Sequence, residues 1–228
     1  MISKYVEYME AETLRNLSAE TVEILDSAVR TYSLDRGEML FNVGDMADSI
    51  YIVLTGGIKI VEDTFSGKRI ILELNTAGDM FGLASLISAS PYPHSAYAVE
   101  KSLIASIYRG DANEMIETRG DFAQMVVGQL VGRVQRAHAR LKHTTMETVD
   151  RRLARTLIYY SGKLGRKNGN TVAISIALSQ QDLADFTGST LESVNRILQI
   201  WEREGWIKCA RQRLDILNPA ALEAHVVA

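Results

Sequence analysis

The stretch LSQQDLADFTGSTLESVNRILQIWE, residues 178–202, constrains the fold of this chain more than any other segment. Its apolar residues recur at helical spacing on both sides of a single glycine, Gly188. Ser179, followed three residues later by Asp182, resembles a capping box and marks the start of the first helix. With small Ala184 where two helices would cross and glycine in the turn, the pattern predicts a helix-turn-helix.

The first helix of this pair is expected to end near Phe186, and the second to run from Ser189 or Thr190 to about Arg203. The residues of the second helix that would be buried are Val194, Ile197, Leu198 and Trp201. The polar residues that face outward, which we assign to DNA contact, are Ser189, Thr190, Glu192, Ser193, Asn195, Arg196 and Gln199.

This outward face has the chemistry of a surface that reads bases. Arg196 can donate two hydrogen bonds to guanine, and Glu192 can accept one from the exocyclic amine of cytosine. Ser193 or Asn195 can serve a base or a phosphate. The alternative is a solvated face on which Glu192 pairs with Arg196, an interaction that stabilises a helix by only about 0.2–0.5 kcal/mol.

The flanking segments predict a small module around the two helices. An amphipathic helix is expected from near Val149, the letters RKNGN predict a loop, and residues 206–216 predict two short strands around ARQR. Together these elements make a winged helix. The net charge of the chain is −3, yet residues 147–228 hold more Lys and Arg than Asp and Glu, which favours a polyanion as their partner.

The middle of the chain has a different pattern. From about Val29 to Tyr108, β-branched runs such as SIYIVLTGGIKIVED alternate with turn residues about every ten positions, which predicts an antiparallel barrel or sandwich. After Gly110 a long helix is expected, with a 4-3-4-3 apolar spacing from Ala123 to Thr144. The seam residues assigned to a dimer contact are Val127, Leu130, Val134, Ala137 and Leu141.

The positions beside the seam are expected to be solvated, since they carry the charged residues Arg133, Arg136, Arg140 and Lys142. The alternative to a dimer is a helix packed on its own domain.

The cysteine and histidine content and the length of the apolar runs indicate which kinds of site and protein are not expected. The single cysteine, Cys209, excludes an iron–sulfur cluster held by several cysteines of one chain. The four histidines show no metal-ligand spacing and no nucleophile motif is present, so neither an enzyme nor a metal site is expected. The chain has neither a signal peptide nor an apolar run of about 18–20 residues, which predicts a cytoplasmic protein.

The motifs TGSTLESVNRIL and AGDMFGLASL resemble the recognition helix and the effector-binding turn of the CRP/FNR family of bacterial transcription regulators. The resemblance implies an α+β fold: an N-terminal antiparallel jelly roll of the cyclic-nucleotide-binding type, a long dimerisation helix and a C-terminal winged helix-turn-helix. The implied parts are residues 1–110, 111–146 and 147–228. It also implies double-stranded DNA with a palindrome of TGA-like half-sites, a homodimer and RNA polymerase as partners.

The implied effector site departs from that of the cyclic-AMP binders. The residues that the resemblance places there are Gly82, Leu83, His94, Ser95, Ala137 and His138. Leu83 stands where those proteins have the glutamate that holds the ribose, and His94 stands where they have the arginine that holds the phosphate. Cyclic AMP is therefore not the expected effector.

Other effectors stay open at this point. His94, His138 and His143 are possible ligands of a haem iron, although a lone histidine is more often a surface or core residue. Tyr92, His94 and Tyr97 can line a pocket for a small organic effector, or their loop can be packed without a ligand. The prediction is a homodimeric, sequence-specific transcription regulator gated by an unidentified effector. The alternative is a small-molecule sensor whose winged helix serves protein interaction.

Overall fold

The computed structural model describes residues 16–64, 67–86, 90–168, 171–174, 178–210 and 213–227. The chain divides into two compact units. The first comprises Met1–Glu62 and Leu72–Arg136, and the second comprises Asp63–Ile71 and Ala137–Ala228. Within the described ranges, no helix combines the length and apolar character that crossing a bilayer requires.

The first unit is built mainly from β-strands that follow helix α1 (Ala19–Ala28). The strands are β1 (Val29–Leu34), β2 (Met39–Phe41), β3 (Ser49–Thr55), β4 (Gly57–Asp63), β5 (Arg69–Thr76), β6 (Met80–Phe81), β7 (Ser95–Ala98) and β8 (Ser102–Tyr108). They form two four-stranded sheets, in the orders β1-β8-β3-β6 and β2-β7-β4-β5. Neighbouring strands such as β1 and β8, or β4 and β7, pair antiparallel, which confirms the predicted antiparallel β-domain.

Two clusters of buried side chains stabilise this unit. One joins α1, β3 and β8 to the helices that follow, and it contains Leu25, Ile52 and Phe122, each at most 2% exposed. The other combines aliphatic residues with four aromatic rings, among them Phe41, whose ring stacks on Tyr92 with 3.9 Å between centroids. The continuous apolar character of β3 follows from this burial, because five consecutive residues of that strand are buried.

The single long helix predicted after Gly110 is wrong in one respect, because the structure has two helices there: α2 (Arg109–Thr118) and α3 (Gly120–Met146). They are separated at Arg119, whose backbone is extended. Asp121 opens α3, and its carboxylate accepts hydrogen bonds from the Ser18 backbone N–H at 2.7 Å and the Thr21 hydroxyl at 2.9 Å. These contacts fix the start of α3 separately from α2, and they hold the pKa of Asp121 at about 2.

The second unit contains the remaining elements. They are α4 (Val149–Leu164), β9 (Gly165–Asn168), β10 (Thr171–Ile174), α5 (Gln180–Thr187), α6 (Leu191–Arg203), β11 (Ile207–Ala210), β12 (Arg213–Ile216) and α7 (Pro219–Val227). Helix α4 and the two strands of the wing, β11 and β12, confirm the predictions made for them. The loop predicted at RKNGN is wrong, because its residues 166–168 belong to β9, which pairs with β10. Strand β10 also pairs with β12, so the sheet has four strands.

Candidate nucleic-acid interface

Helix α5 begins with the predicted capping box. The Ser179 hydroxyl accepts the backbone N–H of Asp182 at 3.0 Å, and the Asp182 carboxylate accepts the backbone N–H of Ser179 at the same distance. Two backbone donors that a helix N-terminus leaves unpaired are therefore satisfied. The helix ends at Gly188, which has a φ of 64° and is the residue type that adopts this conformation at least cost.

Helix α6 follows α5 after a short turn, as predicted. The Thr190 hydroxyl accepts the backbone N–H of Ser193 at 3.2 Å and acts as the N-cap. The inner face of α6 consists of the four residues expected to be buried, and each is at most 9% exposed: Val194, Ile197, Leu198 and Trp201. They pack in one cluster with Leu153 and Leu157 of α4 and with Ala184 of α5. This packing fixes the rotation of α6 about its axis.

The outer face of α6 presents most of the predicted residues. Thr190, Glu192, Arg196 and Gln199 are exposed, whereas Ser189, Ser193 and Asn195 are only half-buried. The full outward orientation predicted for Asn195 is wrong, because its side-chain oxygen is buried. A helix turns about 100° per residue, so position 195, next to buried Val194, lies at the margin of the exposed face.

The alternative of an internal ion pair on this face finds no support. In the described part of the chain, Glu192 and Arg196 form no ion pair with each other. Both side chains are exposed. Their hydrogen-bonding groups are thus available to a partner.

Leu191, the first residue of α6, is not among the residues predicted to contact DNA. Its side chain is 40% exposed, which is high for a large apolar residue, and it lies beside Glu192 on the N-terminal turn. The signal was present in the sequence, since an apolar residue directly after the N-cap lies outside the inward 194–197–198–201 pattern. An exposed aliphatic side chain here can contact the methyl group of thymine.

The wing presents fewer described side chains. Lys208 in β11 is exposed. Cys209 is half-buried, and its burial together with the Glu202 carboxylate raises the pKa of its thiol to about 11. Such a thiol stays protonated near neutral pH and is a poor nucleophile. Arg211, which the sequence also places in the wing, lies outside the described residues.

Three of the residues that resemble an effector site, Leu83, His94 and Ser95, are engaged within the protein. Leu83 is 3% exposed and packs in the core. His94 Nδ1 lies 2.6 Å from Glu62 Oε2, so a carboxylate lies directly beside this histidine. The Ser95 hydroxyl donates to Asn42 Oδ1 at 2.7 Å and accepts the Val43 backbone N–H at 2.9 Å.

The other residues considered for an effector differ from one another in burial and in their contacts. Tyr92 is buried beside Phe41, and its hydroxyl donates to the Ser49 carbonyl at 2.7 Å. Ala137 and His138 on α3 are exposed. His143 Nδ1 lies 3.0 Å from Glu147 Oε1. Among the residues that the structure describes, no group of three His, Cys, Asp or Glu side chains could hold a metal ion.

The predicted seam on α3 is apolar and uncovered in the single chain. Val127, Val134 and Leu141 are 57%, 53% and 65% exposed, and Leu130 is 36% exposed. The flank is less solvated than predicted, because Arg133 Nη2 lies 2.8 Å from Glu73 Oε2 and also donates to the Met80 carbonyl at 3.2 Å.

Comparison with known proteins gives matches along most of the chain. A family model of the cyclic nucleotide-binding domain matches residues 32–119, and a model of the Crp-like helix-turn-helix domain matches residues 151–225. A CRP-like cAMP-activated global transcriptional regulator of Mycobacterium tuberculosis is 24% identical over 198 residues, which are 87% of this chain and 88% of the relative.

Solved structures agree with this assignment. A transcriptional regulator of the CRP family from Thermus thermophilus is 25% identical and has a TM-score of 0.75, covering 86% of this chain and 97% of that one. The c-di-GMP responsive global regulator CLP of Xanthomonas campestris shares the fold at 18% identity, with a TM-score of 0.74 and coverage of 87% and 99%. These relatives are transcription regulators and not enzymes, as predicted for this chain. The chain belongs to the CRP/FNR family of bacterial transcription regulators, and it combines a domain of the cyclic-nucleotide-binding type with a helix-turn-helix DNA-binding domain.

Proposed function

We propose that this chain is a homodimeric, sequence-specific DNA-binding regulator that acts on cytoplasmic DNA, with RNA polymerase as a further partner. The observation that carries the proposal is the outer face of α6. The inner face of α6 is buried, and its N-terminus is capped by Thr190. Glu192 and Arg196 are left exposed on the outer face, one helical turn apart. A helix held in this way can enter the major groove with its N-terminal half toward the bases.

The chemistry of the face favours a TGA-like half-site. Arg196 can donate two hydrogen bonds to guanine, Glu192 can accept from cytosine on the opposite strand, and Leu191 can contact a thymine methyl group. Lys208 is the described wing residue with a charge suited to a phosphate. The half-buried Ser193 and Asn195 are less suited to reading bases than the sequence suggested.

The dimer contact is proposed to lie along α3. The exposed seam residues follow the 4-3-4-3 spacing that two helices need for knobs-into-holes packing, and a monomer would leave this apolar stripe in water. We assign residues 1–110 to effector sensing, 111–146 to dimerisation and 147–228 to DNA binding. A symmetric pair would present two copies of α6 to a palindrome.

The effector is proposed to be something other than cyclic AMP. The phosphate of a cyclic nucleotide would meet the Glu62 carboxylate beside His94, and the Ser95 hydroxyl is already engaged with Asn42 and Val43. Buried Leu83 offers nothing to a ribose hydroxyl.

Haem gains no support from His138, which is exposed and has no carboxylate to orient its ring within the described part of the chain. The carboxylates beside Nδ1 of His94 and of His143 do not count against haem, because they leave the other ring nitrogen of each histidine without that contact. A histidine that binds a metal usually has its second ring nitrogen held by a hydrogen-bond acceptor.

Isothermal titration calorimetry should therefore detect no binding of cyclic AMP at micromolar concentration. The double variant Leu83→Glu, His94→Arg should not restore binding, since Glu62 and the engaged Ser95 remain and Ala137 and His138 also depart from the cyclic-AMP binders. Micromolar affinity in the wild-type protein would show that this site accepts the nucleotide despite these departures.

Selection from random double-stranded DNA tests the proposed function. The wild-type protein is expected to enrich a palindrome whose half-site centres lie about 10–11 base pairs apart, because two subunits related by a twofold axis read successive turns of one groove. Binding should weaken steeply with salt. If no sequence is enriched, the winged helix is better assigned to protein interaction, and the chain is then a sensor of another kind.

A further inference from the structure

The carbonyl end of α5, directly before the turn of the helix-turn-helix, is held by two arginines from other helices. Arg140 of α3 donates from Nη2 to the Phe186 carbonyl at 2.6 Å. Arg152 of α4 donates from Nε to the Thr187 carbonyl at 3.0 Å. Both contacts lie within the second unit.

These contacts suit the electrostatics of a helix end. The last carbonyls of a helix have no partner inside it, and the helix dipole makes this end attractive to cations. The Arg140 guanidinium also lies 4.6 Å from the centroid of the Phe186 ring. That ring is held in turn, since it packs edge-on against Tyr160 of α4 with 5.6 Å between centroids. A planar guanidinium can donate and stack at once, which an ammonium cannot.

Arg152 connects the same turn to the segment between α3 and α4. Its Nη1 donates to the Glu147 carbonyl at 2.7 Å. The Glu147 carboxylate is itself bonded by Arg155 at 2.7 Å, and His143 lies 3.0 Å from it. The residues that link the two helices are therefore tied to the turn that precedes α6.

The held turn determines where α6 begins. Only Gly188, Ser189 and Thr190 separate α5 from α6, and the Ser189 N–H is bonded back to the Ala184 carbonyl at 2.9 Å. A displacement of the end of α5 must therefore pass to the first turn of α6. Helix α3, which carries Arg140, is also the helix on which Arg133 contacts Glu73 of the first unit.

We propose that Arg140 is a positioning residue, through which α3 sets the placement of α6 for specific DNA binding. This inference rests on the proposed function, and Arg140 acts through Phe186 without touching DNA. Any change in the orientation of α3 would then move the outer face of α6 through the contact between Arg140 and Phe186.

The test compares Arg140→Ala with Arg136→Ala, an exposed arginine one turn earlier on the same helix. Affinity is measured for the selected palindrome and for unrelated DNA over a series of salt concentrations. Arg140→Ala is expected to weaken specific binding by about tenfold, and to leave non-specific affinity and the salt slope unchanged. Arg136→Ala should change none of the three.

Unchanged specific affinity in Arg140→Ala would overturn the proposal. So would a loss accompanied by a salt slope lower by about one, because this would identify Arg140 as a phosphate contact. Arg140→Lys serves where the alanine variant is unfolded at the assay temperature. It should show an intermediate loss, because lysine keeps the charge and a donor but cannot stack as a plane.

Amide hydrogen exchange tests the positioning role of Arg140 without DNA. The Ser189 amide should exchange about tenfold faster in Arg140→Ala than in Arg136→Ala, because the end of α5 loses a partner. Equal exchange would refute the positioning role. If the wild-type protein selects no DNA sequence while this difference in exchange is observed, the proposed function fails and the contact between α3 and α5 stands.

Discussion

Replacing both Leu130 and Val134 with glutamate should convert the protein to monomers. The two positions lie at the centre of the exposed apolar seam of α3. In a symmetric dimer each glutamate would meet its own copy across the interface, so that like charges would be buried without partners. Sedimentation velocity measures the change directly.

Loss of the dimer should also abolish tight binding to the palindrome. Two linked half-site contacts gain about 10²–10⁴ in apparent affinity over one, and a monomer forfeits this gain. The matched control is Gln135→Glu with Ala139→Glu, which adds the same number of acidic residues at two exposed positions of α3 outside the seam. A seam variant that still sediments as a dimer would show that the contact lies elsewhere.

The features that the sequence predicted correctly depend on residues close together in the chain. The capping box joins Ser179 to Asp182, the turn requires only Gly188, and the buried face of α6 follows a regular helical spacing. Each is a local signal with a direct physical cause, so the start and end of both helices could be placed within a residue or two.

The features that were missed depend on distant parts of the chain. Strand β9 consists of Gly-Arg-Lys-Asn, residues that strands do not favour, and its partner β10 is close to it in the sequence; the distant contact is that of β12, about forty residues later, with the other edge of β10. Arg140 looked like a solvated flank of a coiled coil, since nothing near it in the sequence reveals the Phe186 carbonyl. Long-range contacts of this kind override local pattern.

The contacts of the residues that resemble an effector site also depend on distant parts of the chain. The departures at Leu83 and His94 could be read directly against the cyclic-AMP binders. The engagement of His94 by Glu62 could not, because the two residues come from β4 and from the position just before its neighbour β7, thirty-two residues apart in the chain. The Glu62 carboxylate beside His94 would repel a phosphate there, which is a second, electrostatic reason to expect that cyclic AMP does not bind.

Arg196→Ala should weaken binding to the selected palindrome by about 1–3 kcal/mol per subunit contact and relax discrimination mainly at the guanine. The reason is that a bidentate contact to a base carries sequence information as well as energy. Arg196 is exposed on α6, whereas Val194 and Ile197, which hold the helix in place, are buried, so the substitution leaves the fold intact.

Lys208→Ala is the comparison variant, because it distinguishes a contact that reads a base from one that only attracts the phosphate backbone. Lys208 is exposed on β11, and its loss should weaken binding to all sequences alike and lower the salt slope by about one, since a phosphate contact releases counterions and reads no base. Selection from random DNA with the wild-type protein and both variants measures the two effects together. An Arg196→Ala protein that selects the same sequence as the wild type, guanine included, would mean that the outer face of α6 does not read bases; the specificity would then have to come from elsewhere in the winged helix or from the shape of the DNA.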